Sequence, residues 1–284
     1  MNDAAEQMLL DSSLRQLKLP AMLRDYGECS RQSRESGDSY ESFLLALTTR
    51  EVEQRQGRQF QRRVREAHFP YLKTLEKTDL GKWVGLSALK VREYAECGYI
   101  GQKENIVILG KHGTGKTHAA IVFGLEACRK GHRVLFTTAA DLVNTLVEAR
   151  EEKQLKRCLL RLGKYSLLIV DELGYLPFSR EGSQLLFQVF SQRYEQGSLL
   201  VTTNLPFPQW TSVFEDVNLT AALLDRLTHH CHILQFDWES IRLTESLKGK
   251  NRTRQKSENR EVAATSAPAG PKKDINQDGS PYPS

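Results

Sequence analysis

The sequence predicts an α/β fold, a parallel sheet covered by helices on both faces and preceded by a small all-α domain. Three observations carry that expectation. Over residues 1 to about 75 apolar residues recur at helical spacing, as in Leu10, Leu14 and Leu17 or Phe43, Leu44 and Leu47, with no strand alternation. From about residue 76 short β-branched runs alternate with helical stretches, the pattern of strands buried on both faces. A glycine-rich octapeptide, GKHGTGKT, stands where the run ENIVIL gives way to a helical pattern.

Taken in order, Pro20 and the polar stretch SRQSRESGDS divide the first region into at least three helices. Five strands are expected at 106–109, 134–137, 167–170, 199–203 and 232–236, with helices near 116–130, 140–162, 182–196 and 219–229. No internal repeat is present at solenoid periods. The last segment, 248–284, has eight bases against four acids, few aliphatics, and the runs SAPAGPKK and QDGSPYPS, a composition expected to stay disordered. The predicted organisation is a helical domain at 1–75, a nucleotide-binding domain at 76–247 and a basic tail at 248–284.

A chain of 284 residues, 39% hydrophobic and 26% charged, is long enough for one core of full size and excludes collagen-like, mucin-like and wholly disordered classes. No apolar run approaches the roughly 18–20 residues that span a bilayer, and the first residues carry Asp3 and Glu6 in place of a basic leader. The expected location is the cytosol, without membrane contact. Five cysteines spaced 30 or more residues apart give no disulfide framework and read as reduced, mostly buried thiols.

The octapeptide fits G-x-x-x-x-G-K-[ST], the phosphate loop. Gly110, Gly113 and Gly115 let backbone N–H groups turn inward around phosphates, together with Lys111, His112 and Thr114, and the following helix adds its dipole. Lys116 is expected at the β- and γ-phosphates of ATP, and Thr117 at Mg²⁺. Downstream, LLIVDEL ends in two adjacent carboxylates where α/β sheets place ligand chemistry. Asp171 is the expected partner of Mg²⁺ and Glu172 the base that activates water, unless Glu172 only begins an exposed turn. A further strand, SLLVTTNLPF, ends in Asn204, which either hydrogen-bonds the γ-phosphate or the water, or simply forms a turn.

The order GKHGTGKT, LLIVDELGYLP, LLVTTNLPFPQW, AALLDRLTHH and WESIRL resembles the IstB-like AAA+ ATPases, helpers of bacterial insertion-sequence transposons related to the DnaC helicase loader. The resemblance covers most of residues 1–247. It implies an AAA+ P-loop fold with strand order 5-1-4-3-2, ATP-driven homo-oligomerisation on double-stranded DNA, and partnership with the transposase of the same element. By position it makes Asn204 a sensor of the γ-phosphate, Arg226 the arginine offered to a neighbour's nucleotide, and Arg242 a second, lid-borne sensor. On the residues alone, Arg226 equally suits a salt bridge with Asp225. The departures are Lys111 and His112 where the family commonly has prolines, Ile241 where it has an aromatic, and a lid reduced to one helix around 238–247. The other functions to be weighed are a helicase loader, an ATP-gated DNA scaffold that does not hydrolyse, and a small-molecule kinase. The last is disfavoured by Glu172 and Arg226 and by the lack of an acceptor-binding segment.

Arg55, Arg58, Arg62 and Arg65 are spaced 3, 4 and 3 apart, along one face of a helix whose other side carries Phe60, Val64 and Ala67. Such a stripe either tracks DNA phosphates or is a solvated face paired with Glu51 and Glu66. Lys153, Lys156, Arg157 and Arg161 form a second basic group on the helix before the Asp171 strand. His229, His230, Cys231 and His232 have the composition of a metal site, but consecutive residues of a regular helix or strand diverge, so no zinc site is expected there.

Overall fold

The computed structural model describes residues 3–83 and 85–238. Arg242, the expected lid helix beyond Trp238 and the basic tail lie outside the described residues. Eleven α-helices and five strands are described: α1 (Asp3–Gln16), α2 (Pro20–Ser36), α3 (Tyr40–Glu66), α4 (Ala88–Ala95), α5 (Gly98–Gln102), β1 (Asn105–Gly110), α6 (Lys116–Arg129), β2 (Val134–Thr138), α7 (Ala139–Glu151), α8 (Leu155–Leu162), β3 (Leu167–Leu173), α9 (Arg180–Arg193), β4 (Ser198–Thr203), α10 (Thr211–Phe214), α11 (Val217–Thr228) and β5 (Cys231–Phe236). All strands are parallel in the order β2-β3-β4-β1-β5, which is the expected 5-1-4-3-2 read from the other edge.

The strands read as continuous apolar runs because both faces are covered. Ile106, Ile108, Leu167, Ile169 and Leu200 face a core shared with α4, α5 and α6. Val107, Leu168, Val170, Leu199 and Val201 face a second core under α7, α9 and α11. Each such side chain contributes about 2 kcal/mol by leaving water. Cys29, Cys97, Cys128 and Cys158 are buried, Cys231 is half-buried, and none is in a disulfide.

Helix α2 starts on Pro20, and its N-cap Leu19 has no side chain able to cap it. Glu51 of α3 fills that role, accepting from the Ala21 N–H at 2.7 Å, from Met22 at 3.3 Å and from Arg55 Nε at 2.8 Å. Burial alone would push the Glu51 carboxyl up. The Arg55 guanidinium and the two N–H groups outweigh it and hold the carboxyl below its ordinary value.

Three element expectations are corrected. The polar stretch 30–39 is helical through Ser36, and the break is confined to Gly37–Ser39, where Gly37 has φ +70°. The expected helix 140–162 is two helices, parted where Lys153 takes the left-handed conformation at φ +58°. Helix also ends at Glu66, not near 75. Beyond it the chain crosses the sheet domain in irregular backbone with two single-turn 3-10 helices, Leu75–Lys77 and Leu80–Lys82. Ala67 accepts from the Phe136 N–H at 2.8 Å, covering the edge strand β2. Phe69 lies so close to α6 that a Cβ on Gly124 would sit 2.7 Å from its ring. Side-chain burial against the sheet domain thus overrides the helical spacing read from residues 67–75.

Candidate nucleotide site

Strand β1 delivers the phosphate loop at the carboxyl edge of the sheet. Gly110 passes so near β5 that a Cβ would lie 2.5 Å from the Phe236 carbonyl oxygen. Gly113 and Gly115 take φ +78° and +97°, which glycine adopts without the Cβ clash of other residues. Thr114 is buried and its hydroxyl donates to the Lys111 carbonyl at 2.9 Å. Lys116 Nζ donates to the Gly110 and Lys111 carbonyls at 2.7 and 2.8 Å, so the ammonium is held across the loop mouth. Helix α6 begins on Gly115 with no side-chain cap, leaving first-turn N–H groups for an anion.

Order 3-4-1 in the sheet sets β4 between the phosphate loop and β3. Asp171, 3% exposed, accepts from the Thr117 hydroxyl at 3.0 and 3.1 Å and from the Thr202 hydroxyl. Burial pushes the Asp171 carboxyl up, and Glu172 adds to this. The two hydroxyls and Lys116 pull the other way without cancelling it. A buried carboxylate beside a hydroxyl is a hard oxygen donor set whose charge a divalent cation would neutralise, so these residues fit Mg²⁺ and the loop fits a triphosphate. Glu172 is exposed at φ +59°, where β3 bulges, and its N–H donates to Thr202 Oγ1 at 3.0 Å. Asn204 Nδ2 lies 3.2 Å from His112 Nε2, within the same cleft.

The cleft, 270 Å³ in volume, also has walls that no sequence motif announced. Lys73, Lys77, Thr78 and Lys82 come from the irregular segment after α3. Thr78 Oγ1 is 3.0 Å from Nε2 of His118 on α6, and Trp83 packs edge-on against that ring. Trp238, which follows β5, supports the phosphate loop, its Nε1 donating to the Thr114 carbonyl at 3.1 Å. These residues converge only through the fold. A lysine-rich segment placed before the first strand is the one signal that could have found them.

The other expected residues lie elsewhere. Arg226 does not line the cleft; its guanidinium sits 5.0 Å over the Phe187 ring and donates to the Ala222 carbonyl at 2.9 Å. Among the described residues it makes no ion pair with Asp225. The four arginines do share α3, but not all are free. Arg55 is bound to Glu51 and, at 2.7 Å, to the Lys18 carbonyl; Arg62 lies 3.7 Å from Glu66; and Arg58 donates to Gln54. Lys153 lies in the α7–α8 break, off the helix that bears Lys156, Arg157 and Arg161. His232 pairs with Glu104 at 2.9 Å, whereas His229 and His230 stay together, their ring centroids 4.2 Å apart, because they fill a helix-to-strand junction with neither period.

The family described as IstB-like ATP binding protein matches residues 12–249. The ATP-binding protein of insertion sequence IS21 from Pseudomonas aeruginosa is 37% identical over 239 residues, covering 84% of this chain and 90% of that one. Its counterpart of IS5376 from Geobacillus stearothermophilus is 37% identical, covering 81% and 91%. Among solved structures, AMPPCP-bound DnaA from Aquifex aeolicus superposes with a TM-score of 0.51 at 23% identity, covering 64% of this chain and 56% of that one, a likeness of fold. With the phosphate loop, the sheet order and the match over most of its length, the chain belongs to the IstB-like ATP-binding family and has the AAA+ fold.

Proposed function

We propose that this protein is a magnesium-dependent ATPase that assembles as a homo-oligomer on double-stranded DNA and assists the transposase of its own insertion element. The observation that carries it is the meeting of Lys116, the Thr117–Asp171 pair and Glu172 in one cleft, with Arg226 half-buried on another part of the surface. The insertion-sequence relatives support a transposase as partner.

Bound Mg²⁺-ATP supplies the γ-phosphoryl group and its leaving diphosphate. Lys116 and the first-turn N–H groups of α6 hold the phosphates, and Thr117 and Asp171 hold the ion. Glu172 takes the proton of the attacking water, while Asn204 orients it. Arg226 reaches the cleft of an adjacent subunit, which makes turnover depend on assembly.

The test is ATPase rate and particle size, with and without duplex DNA. Glu172→Gln is expected to lower turnover about 100-fold or more while DNA-bound oligomers persist. Arg226→Ala and Lys116→Ala are each expected to be inactive alone and to recover part of the activity when mixed, since a shared site pairs a sound arginine with a sound lysine. Wild-type hydrolysis by Glu172→Gln overturns the assignment of the base. Capture of a replicative hexameric helicase in place of the transposase overturns the partner.

A further inference from the structure

At the amino edge of the sheet, opposite the nucleotide cleft, α9 and α11 both end. Helix α9 stops at Arg193 and runs into Tyr194 and Glu195; α11 stops at Thr228 and runs into His229 and His230. Glu195 has φ +58°. One ligand atom from each of Glu195, His229 and His230 lies within 4.8 Å of the others, and all three residues are exposed. The Tyr194 hydroxyl is 3.1 Å from His229 Nδ1.

We propose that Glu195, His229 and His230 form a binding site for a divalent transition-metal ion of the zinc class, which ties the C-terminal ends of α9 and α11 together. Two imidazoles and one carboxylate are a borderline donor set that suits Zn²⁺, Co²⁺ or Ni²⁺ and not Mg²⁺, so this ion differs in kind from one held by Thr117 and Asp171. Three protein ligands leave a fourth position to water. Metal–ligand bonds of about 2.0–2.2 Å require the three atoms to draw somewhat closer, a movement that exposed side chains make by rotamer changes. Two helices present their carbonyl ends here, and the partial negative charge of each favours a cation. The Tyr194 hydroxyl, 3.1 Å from His229 Nδ1, accepts from that nitrogen when it carries the ring proton, and in that tautomer Nε2 is the ligand. The ion would also brace the support of Arg226, since α11 carries that arginine and α9 carries the Phe187 ring beneath it.

Full-length protein, stripped with chelator and free of nucleotide, is titrated with Zn²⁺ by calorimetry and with Co²⁺ by visible absorption, and melted with and without Zn²⁺. The expected result is saturation at one ion per chain with a higher Tm in the loaded form. His229→Ala, His230→Ala and Glu195→Gln each lower the affinity by at least about tenfold. His68→Ala, an exposed histidine elsewhere, and Cys231→Ser leave it unchanged. Since the three ligands are exposed, the metal-free Tm of their variants stays at the wild-type value, which separates lost binding from misfolding. Absence of saturable binding, or binding that survives all three substitutions, overturns the proposal.

Discussion

Glu172 holds a left-handed backbone at φ +59°, a conformation costing a non-glycine residue about 1–2 kcal/mol. The bulge in β3 imposes it, and the Glu172 N–H bond to Thr202 keeps it in place, so the carboxylate swings out of the strand into the cleft while Asp171 stays buried. Adjacent carboxylates therefore have opposite settings, one desolvated and one exposed. Glu172→Gly is expected to keep or raise Tm, because glycine relieves the strain, while ATP turnover falls about 100-fold or more. Thermal melts and phosphate release on the same preparation check this; a lowered Tm would mean that the carboxylate, not the backbone, is what the fold needs there. Lys116, Thr117, Asp171 and Glu172 were legible because each sits in a contiguous motif whose spacing is local. Thr202 and Lys77 were not, because strand order brings the first to the cleft and the path of the irregular segment after α3 brings the second, and neither is encoded in a short window.

Among the elements, the five strands were legible from their apolar runs, and their observed ends extend the expected ones by at most three residues. The segment between α3 and α4 was not, since its apolar residues Phe69, Leu75 and Leu80 serve the core of the sheet domain and follow no period. That segment is fastened to α6 through His118. Burial, with Lys73 and Lys82 close by, holds the His118 imidazole below its ordinary 6.5, and burial with Lys103 and Arg63 does the same to His132. A depressed histidine stays neutral in the fold while the unfolded chain takes up a proton below pH 6.5. Its contribution to stability is therefore complete above that pH and lost as pH falls. Asp171, raised by burial, works with the opposite sign, so the effect is read as a difference between variants. Between about pH 7.5 and pH 5.5, His118→Gln is expected to lose less Tm than wild type, glutamine being able to keep the bond to Thr78 without taking a proton. Equal losses would show that His118 is protonated in the fold as readily as out of it.

On the scale of the whole molecule, the formal charge of +5 is unevenly placed. Residues 76–247 balance at twenty bases and twenty acids, 42–75 hold seven bases and three acids, and 248–284 hold eight and four. Residues 76–247 thus carry no net charge, and the excess basicity that the proposed DNA binding would use lies in α3 and in the tail. Arg55 is committed to Glu51 and the Lys18 carbonyl at the start of α2, so its removal would unfasten the helices and confuse the comparison. Arg58, Arg62 and Arg65 are exposed on the same face and are the ones to change. Replacing these three with alanine is expected to weaken duplex binding for all sequences alike and to reduce the slope of log K against log salt by about 1 for each phosphate that is no longer neutralised. Deleting the chain after residue 247 is expected to change that slope less, because its eight bases are interleaved with four acids, whereas those of α3 lie on one face of a helix packed against α6 and β2. Binding titrations over a range of salt concentrations compare the two directly. A larger loss on truncation would move DNA binding to the tail and leave the α3 stripe as a solvated face.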